Sequence, residues 1–128
     1  MTITVYHYAG CSTCRKARKF LDARGLEVAL VDLKASPPSS EVLAALHAAS
    51  GLPVKRFFNT SGQSYRNGGF KDRLPSMSDA EAYDALGADG MLVKRPILVV
   101  DLPDGGQTVL VGFKEAAWSA ALGVEASA

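Results

Sequence analysis

Cysteine is scarce in this chain: only Cys11 and Cys14 occur among 128 residues, three apart in the stretch "YHYAGCSTCRKARKFL". That scarcity removes two ordinary uses of the residue. A closed zinc site wants four Cys/His ligands in recognisable spacing, and here only His7 and His47 are available to join, with no second cluster, so no bound metal is expected. A structural crosslink is also disfavoured, because a reducing cytosol keeps thiols reduced and so short a loop would restrict the unfolded chain little. Long apolar runs are missing too: none approaches the roughly 20 residues a bilayer span needs. The opening "MTITVYHYAG" lacks the charged and apolar regions of a signal peptide, so a cytoplasmic protein with no membrane association is expected. A large charge of either sign is absent as well. The net charge of +1 argues against direct nucleic-acid binding driven by counterion release.

What the chain does have is 48% hydrophobic and 21% charged residues, the balance of a globular fold, and enough length for one domain with a substantial core. The charge is unevenly spread: residues 1–73 hold 11 Lys/Arg against 5 Asp/Glu, and residues 74–128 hold 3 against 8. Such asymmetry can steer an anionic ligand or an acidic protein surface toward the first half.

The order of elements is readable from period and punctuation. "ITVYHY" mixes β-branched and aromatic residues as a strand does. "STCRKARKFLDARG" reads as a helix that gathers Cys14, Ala17, Phe20 and Leu21 on one face and stops at Gly25. "LEVALVDL" (26–33) predicts a second strand, making a right-handed β-α-β opening. After Pro37-Pro38, Ser39 or Ser40 caps a helix that ends at Gly51. "LPVKRFFNTSGQSYRNGGFKDRLP" suggests short helical turns broken at Ser61-Gly62 and Gly68-Gly69. "SDAE" is a capping-box pattern opening another helix, which stops near Gly87 or Gly90. "MLVKRPILVVD" reads as a buried strand entered through a proline. "DLPDGGQTVLVGF" reads as a hairpin turning at Asp104-Gly105-Gly106, and "KEAAWSAALG" as a closing helix. The expectation is therefore an α/β protein, a single domain over 1–128, whose thioredoxin-like β-α-β … β-β-α core carries a helical insertion at about 39–90.

Within that frame the two cysteines read as a working dithiol. A thiol attacks as its thiolate, and an ordinary cysteine is mostly protonated at neutral pH. Cys11 at the start of a helix faces free backbone N–H groups and the positive end of the dipole. Ser12 and Thr13 can add hydroxyl donors, and Arg15 a nearby positive charge. Cys14, one turn further in, is placed to resolve a mixed disulfide formed on Cys11. His7 is a candidate to support Cys11, or simply a packed imidazole. Arg95-Pro96 is the second feature: in thioredoxin-like folds a cis proline sits opposite the dithiol, although the sequence alone leaves the isomer open. His47, Trp118 and Phe57-Phe58 read as structural.

These residues carry a resemblance. "YHYAGCSTCRKARKFLDARGLEV", "PPSSEVL", "FFNTSGQSYR", "DGMLVKRPILV" and "VGFKEAAW" are similar to the arsenate reductase-like family, which includes the Spx and MgsR regulators, over nearly all of residues 3–122. The resemblance implies a thioredoxin-like fold with a helical insertion, Cys11 as nucleophile and a cis Pro96. Glutathione/glutaredoxin-linked arsenate reductases resemble this chain at His7, Cys11 and Arg95, but hold their oxyanion with three arginines; the other two fall at Asn59 and Gly112 here. Spx-type regulators resemble it at "CSTCRKAR" and engage the C-terminal domain of the RNA polymerase alpha subunit, with their contact glycine falling near Gly51. The "FFNTSGQSYR" block is similar to a reductase-like branch. The expected function is thus thiol–disulfide exchange with small thiols or protein disulfides. Glutathione, glutaredoxin or thioredoxin are the candidate reductants, no cofactor is bound, and a monomer is expected. A redox-switched polymerase-binding regulator is the alternative, and arsenate reduction the third reading.

Overall fold

The computed structural model describes residues 1–125; the last three residues of the expected 1–128 domain lie outside the described part. The chain divides into two compact units, one formed by residues 1–32 and from 95 onward, the other by Leu33–Lys94.

The first unit is built on a four-stranded sheet in the order β2-β1-β3-β4, from β1 (Thr2–His7), β2 (Ala29–Asp32), β3 (Ile97–Asp101) and β4 (Gln107–Val111). β1 runs parallel to β2 and antiparallel to β3, and β3 is antiparallel to β4. Helix α1 (Ser12–Ala23) makes the crossover between the parallel strands, and a second helix from Glu115 to Leu122 closes the described fold. β1 alternates as its sequence dictates, burying Ile3, Val5 and His7. Ile3 and Val5 join Ala17, Phe20 and Leu21 of α1, Leu98 and Val100 of β3, and Trp118 and Leu122 in one core. The α1 residues come at the spacing of a single helical stripe.

β2 is shorter than the strand predicted over 26–33. The reason lies in how α1 ends. Gly25, at φ 63°, donates to Asp22 O, and Leu26 N returns to Leu21 O. Leu26 and Val28 then pack on the core rather than joining the ladder, which begins at the pair Thr4–Ala29.

In the second unit, α2 (Ser40–Ser50) is capped by Ser39, whose hydroxyl accepts from Val42 N, and stops at Gly51 in the left-handed conformation. Short turns follow: a 3₁₀ turn over Val54–Phe57, α3 (Gln63–Asn67), α4 (Phe70–Arg73) and a 3₁₀ turn over Leu74–Ser76. α5 (Asp79–Ala88) opens on a complete capping box between Ser78 and Glu81. His47 of α2 is structural: its ring bonds the Tyr83 hydroxyl on α5 and Leu52 O, and packs edge-on to Phe57. With the terminal helix numbered α6, the strand predicted over "MLVKRPILVVD" proves to be two features. Gly90–Leu92 is a 3₁₀ turn and only Ile97–Asp101 is β3. Among the described residues, no helix is long and apolar enough to cross a membrane.

Candidate active site

The site grows from the end of β1. After His7 the chain turns through Tyr8, Ala9 and Gly10, and Cys11 N donates back to Tyr8 O at 3.1 Å. Cys11 is the residue before the first helical position of α1, with extended backbone (φ −91°, ψ 122°), and its own carbonyl accepts the first helical bond from Arg15 N. No acidic residue occupies the first turn, so nothing there competes with a thiolate for the positive end of the helix.

Both cysteines are reduced, and their surroundings differ sharply. Cys11 is partly exposed, whereas Cys14 is 1% exposed. Burial by itself would raise the Cys11 pKa. It is overcome by the Cys14 backbone N–H and thiol, the Thr13 N–H and the positive charge of Arg95, so the thiol lies below its ordinary value. Cys14 moves the other way. Burial, opposed in part by the Tyr8 backbone and aided by the neighbouring Cys11 sulfur, pushes it up to about 12. The two sulfurs therefore differ in role. The outer one ionises readily, while the inner one keeps its proton and donates it as a hydrogen bond.

Of the other predicted residues, Thr13 acts through its main-chain N–H. The Arg15 guanidinium donates to Ala9 O at 3.2 Å, bracing the turn that holds Cys11. Ser12 sits exposed in the first turn. His7 is buried, and its pKa is lowered by burial and by Arg18, with Asp32 opposing. The Arg95–Pro96 peptide is cis, and Pro96 O accepts from Gly112 N at 2.8 Å, which ties it to the end of β4.

Tyr8 is the residue that sequence reasoning passed over. The Arg95 guanidinium carbon lies 5.5 Å from the centre of the Tyr8 ring, close enough for a cation–π contact. The same ring covers Gly10 so closely that a Cβ there would fall 2.7 Å from it. The only signal in the sequence was an aromatic residue two positions before a glycine. We expect Arg95→Ala to raise the Cys11 pKa, since a stabilising positive charge is lost. Iodoacetamide alkylation at mildly acidic pH should slow about two- to fivefold, while Arg95→Lys should retain most of the rate. An unchanged rate in the alanine variant would remove Arg95 from the thiolate's environment.

Among the described residues, no group of three or more His, Cys, Asp or Glu converges as a metal site. A strand-to-helix dithiol and a cis proline in the same unit are the features that known relatives can be compared with. The ArsC family model matches residues 6–121. This chain belongs to the ArsC family. The ArsC-family chain is 47% identical over 115 residues to the uncharacterized protein YusI of Bacillus subtilis (strain 168), covering 90% of this chain and 93% of that one. It is 35% identical over 102 residues to an arsenate reductase of Rhizobium meliloti (strain 1021), covering 80% and 71%. In structure it is similar to an ArsC family related protein from Bacteroides fragilis, with a TM-score of 0.86 at 39% identity, covering 94% of this chain and 97% of that one. The ArsC-family assignment makes the fold thioredoxin-like and the family chemistry that of thiol-based reductases.

Proposed function

We propose that this chain is a thiol–disulfide oxidoreductase in which Cys11 attacks and Cys14 resolves. The Cys11 thiolate displaces one sulfur of a substrate disulfide, which leaves as a thiolate, and a mixed disulfide remains on Cys11. Cys14 then gives up its proton and attacks the Cys11 sulfur, releasing the second substrate sulfur as a thiolate and closing the Cys11–Cys14 bond. Two electrons have passed to the substrate. A thiol reductant of the glutathione, glutaredoxin or thioredoxin class returns them. Thr13 and Cys14 stabilise the attacking thiolate through their N–H groups, while Arg15, Arg95, Pro96 and the Tyr8 ring shape the surroundings. The observation that carries this reading is the placement of the two sulfurs: Cys11 partly exposed at the N-terminus of α1, and Cys14 buried one helical turn further in.

The test is the pH profile of Cys11 alkylation by iodoacetamide. Rate follows thiolate, so a lowered pKa moves the whole curve to lower pH than that of an ordinary thiol. A midpoint above about 8.5, the ordinary thiol value, overturns the activation of Cys11.

One observation favours a second reading. Arg15, Lys16, Arg18 and Lys19 all lie exposed on α1, the helix that begins at the dithiol. They suit a redox-switched regulator whose basic face meets a partner such as the C-terminal domain of the RNA polymerase alpha subunit. Redox-dependent capture of that domain without disulfide turnover would favour the regulator over the enzyme. Arsenate reduction is disfavoured because Asn59 and Gly112 stand where the resemblance places two oxyanion-binding arginines, and neither supplies a cationic fork. Turnover of arsenate coupled to glutathione would reverse that judgement.

A further inference from the structure

The Leu33–Lys94 unit carries two hollows that meet at Lys55. The first, about 310 Å³, is lined by Lys55, Arg56 and Lys94, with Thr60, Pro53 and the buried Phe58. No carboxylate is among its lining residues. The second, about 190 Å³, is lined by Val54, Tyr65, Leu74 and Pro75, with Lys55 and Lys71 as its cations.

The frame beneath these cations is tightly pinned. Lys94 N donates to Phe57 O at 2.8 Å, Asn59 N to Leu92 O at 2.7 Å, and Phe58 pairs with Val93 in an antiparallel bridge. Phe58 N also donates to Lys55 O at 3.0 Å, closing the 3₁₀ turn that carries Lys55 and Arg56. Buried Phe57 and Phe58 anchor the same backbone. Three cationic side chains thus line one concavity above this hydrogen-bonded backbone, and a negative group seated there is attracted by all three. The neighbouring hollow asks for something different, an apolar group with negative charge beside it.

We propose that this pair of hollows docks an acidic segment of a protein partner, seating carboxylates in the Lys55–Arg56–Lys94 hollow and an apolar side chain in the Val54–Leu74–Pro75 hollow. A small dianion would fill the first and leave the second unused. A nucleic-acid strand would need an exposed aromatic platform for its bases, and Tyr65 is instead buried and stacked on Phe70. Complementary charge also fits an encounter steered electrostatically and weakened by salt. The proposal stands on this unit alone and does not depend on the dithiol chemistry.

The experiment is fluorescence anisotropy with a fluorescein-labelled glutamate-rich peptide carrying a central leucine, measured against the full chain at low and high salt. The glutamine version, the leucine-to-glycine version and a labelled oligothymidylate serve as comparisons. Binding is expected for the first peptide only, and Lys55→Glu, which touches both hollows, should weaken it about tenfold or more by exchanging attraction for repulsion. Lys55→Gln should give a smaller loss, about two- to fivefold, and Lys94→Glu should match the weakening at Lys55. Because these side chains are exposed, thermal melting should be unchanged. The docking site is overturned if the Lys55 variants bind as wild type does, if glutamine or glycine versions bind equally well, or if oligothymidylate binds as tightly as the peptide.

Discussion

Cys14→Ser should leave glutathione stranded on Cys11. After mild oxidation with glutathione disulfide, wild type is expected to finish as an internal Cys11–Cys14 bond, the Cys14→Ser variant as a glutathione adduct on Cys11, and Cys11→Ser with neither. Burial pushes the Cys14 thiol up to about 12, so it stays protonated near neutrality and offers an external disulfide a poor nucleophile. Burial to 1% exposure blocks approach as well. Cys11 is both more accessible and more readily ionised, so first attack belongs to it. Once the mixed disulfide forms, the coupling reverses. The negative sulfur that held the Cys14 proton is gone, and Cys14 loses the neighbour that helped raise its pKa. Intramolecular attack at high effective concentration then clears the adduct in wild type. Intact-mass spectrometry reads all three outcomes. An adduct that appears on wild type but not on Cys14→Ser contradicts the assigned roles, and adduct formation on Cys11→Ser shows that Cys14 can attack first.

Much of this arrangement was legible in the residues alone. The helix stripe Cys14, Ala17, Phe20 and Leu21 is a period of 3.6, and those residues are the buried ones of α1. The capping box at Ser78 and the turn at Asp104-Gly105-Gly106 are local chemistry, so they too could be read directly. What could not be read depends on contacts distant in sequence. The shortening of β2 follows from Leu26 and Val28 finding the core, which no strand propensity encodes. The need for glycine at position 90 follows from a close approach of backbone, since a Cβ there would run into Leu33 O. Within the site, the sequence pointed to hydroxyls of Ser12 and Thr13, whereas main-chain N–H groups of Thr13 and Cys14 meet the sulfur. Side-chain identity says little about which main-chain groups point inward. The place of Tyr8 beneath Arg95 spans 87 positions of sequence and left no periodic trace.

Trp118→Ala should cost about 3–5 kcal/mol of unfolding free energy, the usual range for emptying a large aromatic site. Trp118 is fully buried, meets Phe113 and Phe20 edge-on at 5.0 and 6.5 Å between ring centres, and donates its indole N–H to Gly112 O at 3.0 Å. Truncation leaves a cavity and removes the hydrogen bond to Gly112 O. Against a typical total of about 5–15 kcal/mol, that loss is a large fraction of the stability of the fold. Trp118→Phe keeps much of the volume and loses mainly the hydrogen bond, so about 1–2 kcal/mol is expected. Urea unfolding followed by circular dichroism separates the two, and a change below about 1 kcal/mol for the alanine variant would show that α6 does not hold this core. The consequence reaches the dithiol because Phe20 and Ala17 lie on the same buried face of α1 as Cys14. Loosening that face is expected to admit solvent to the inner sulfur, and an exposed thiol loses the desolvation that keeps it protonated. Cys14 should therefore become alkylable in Trp118→Ala at a pH where wild type reacts only at Cys11.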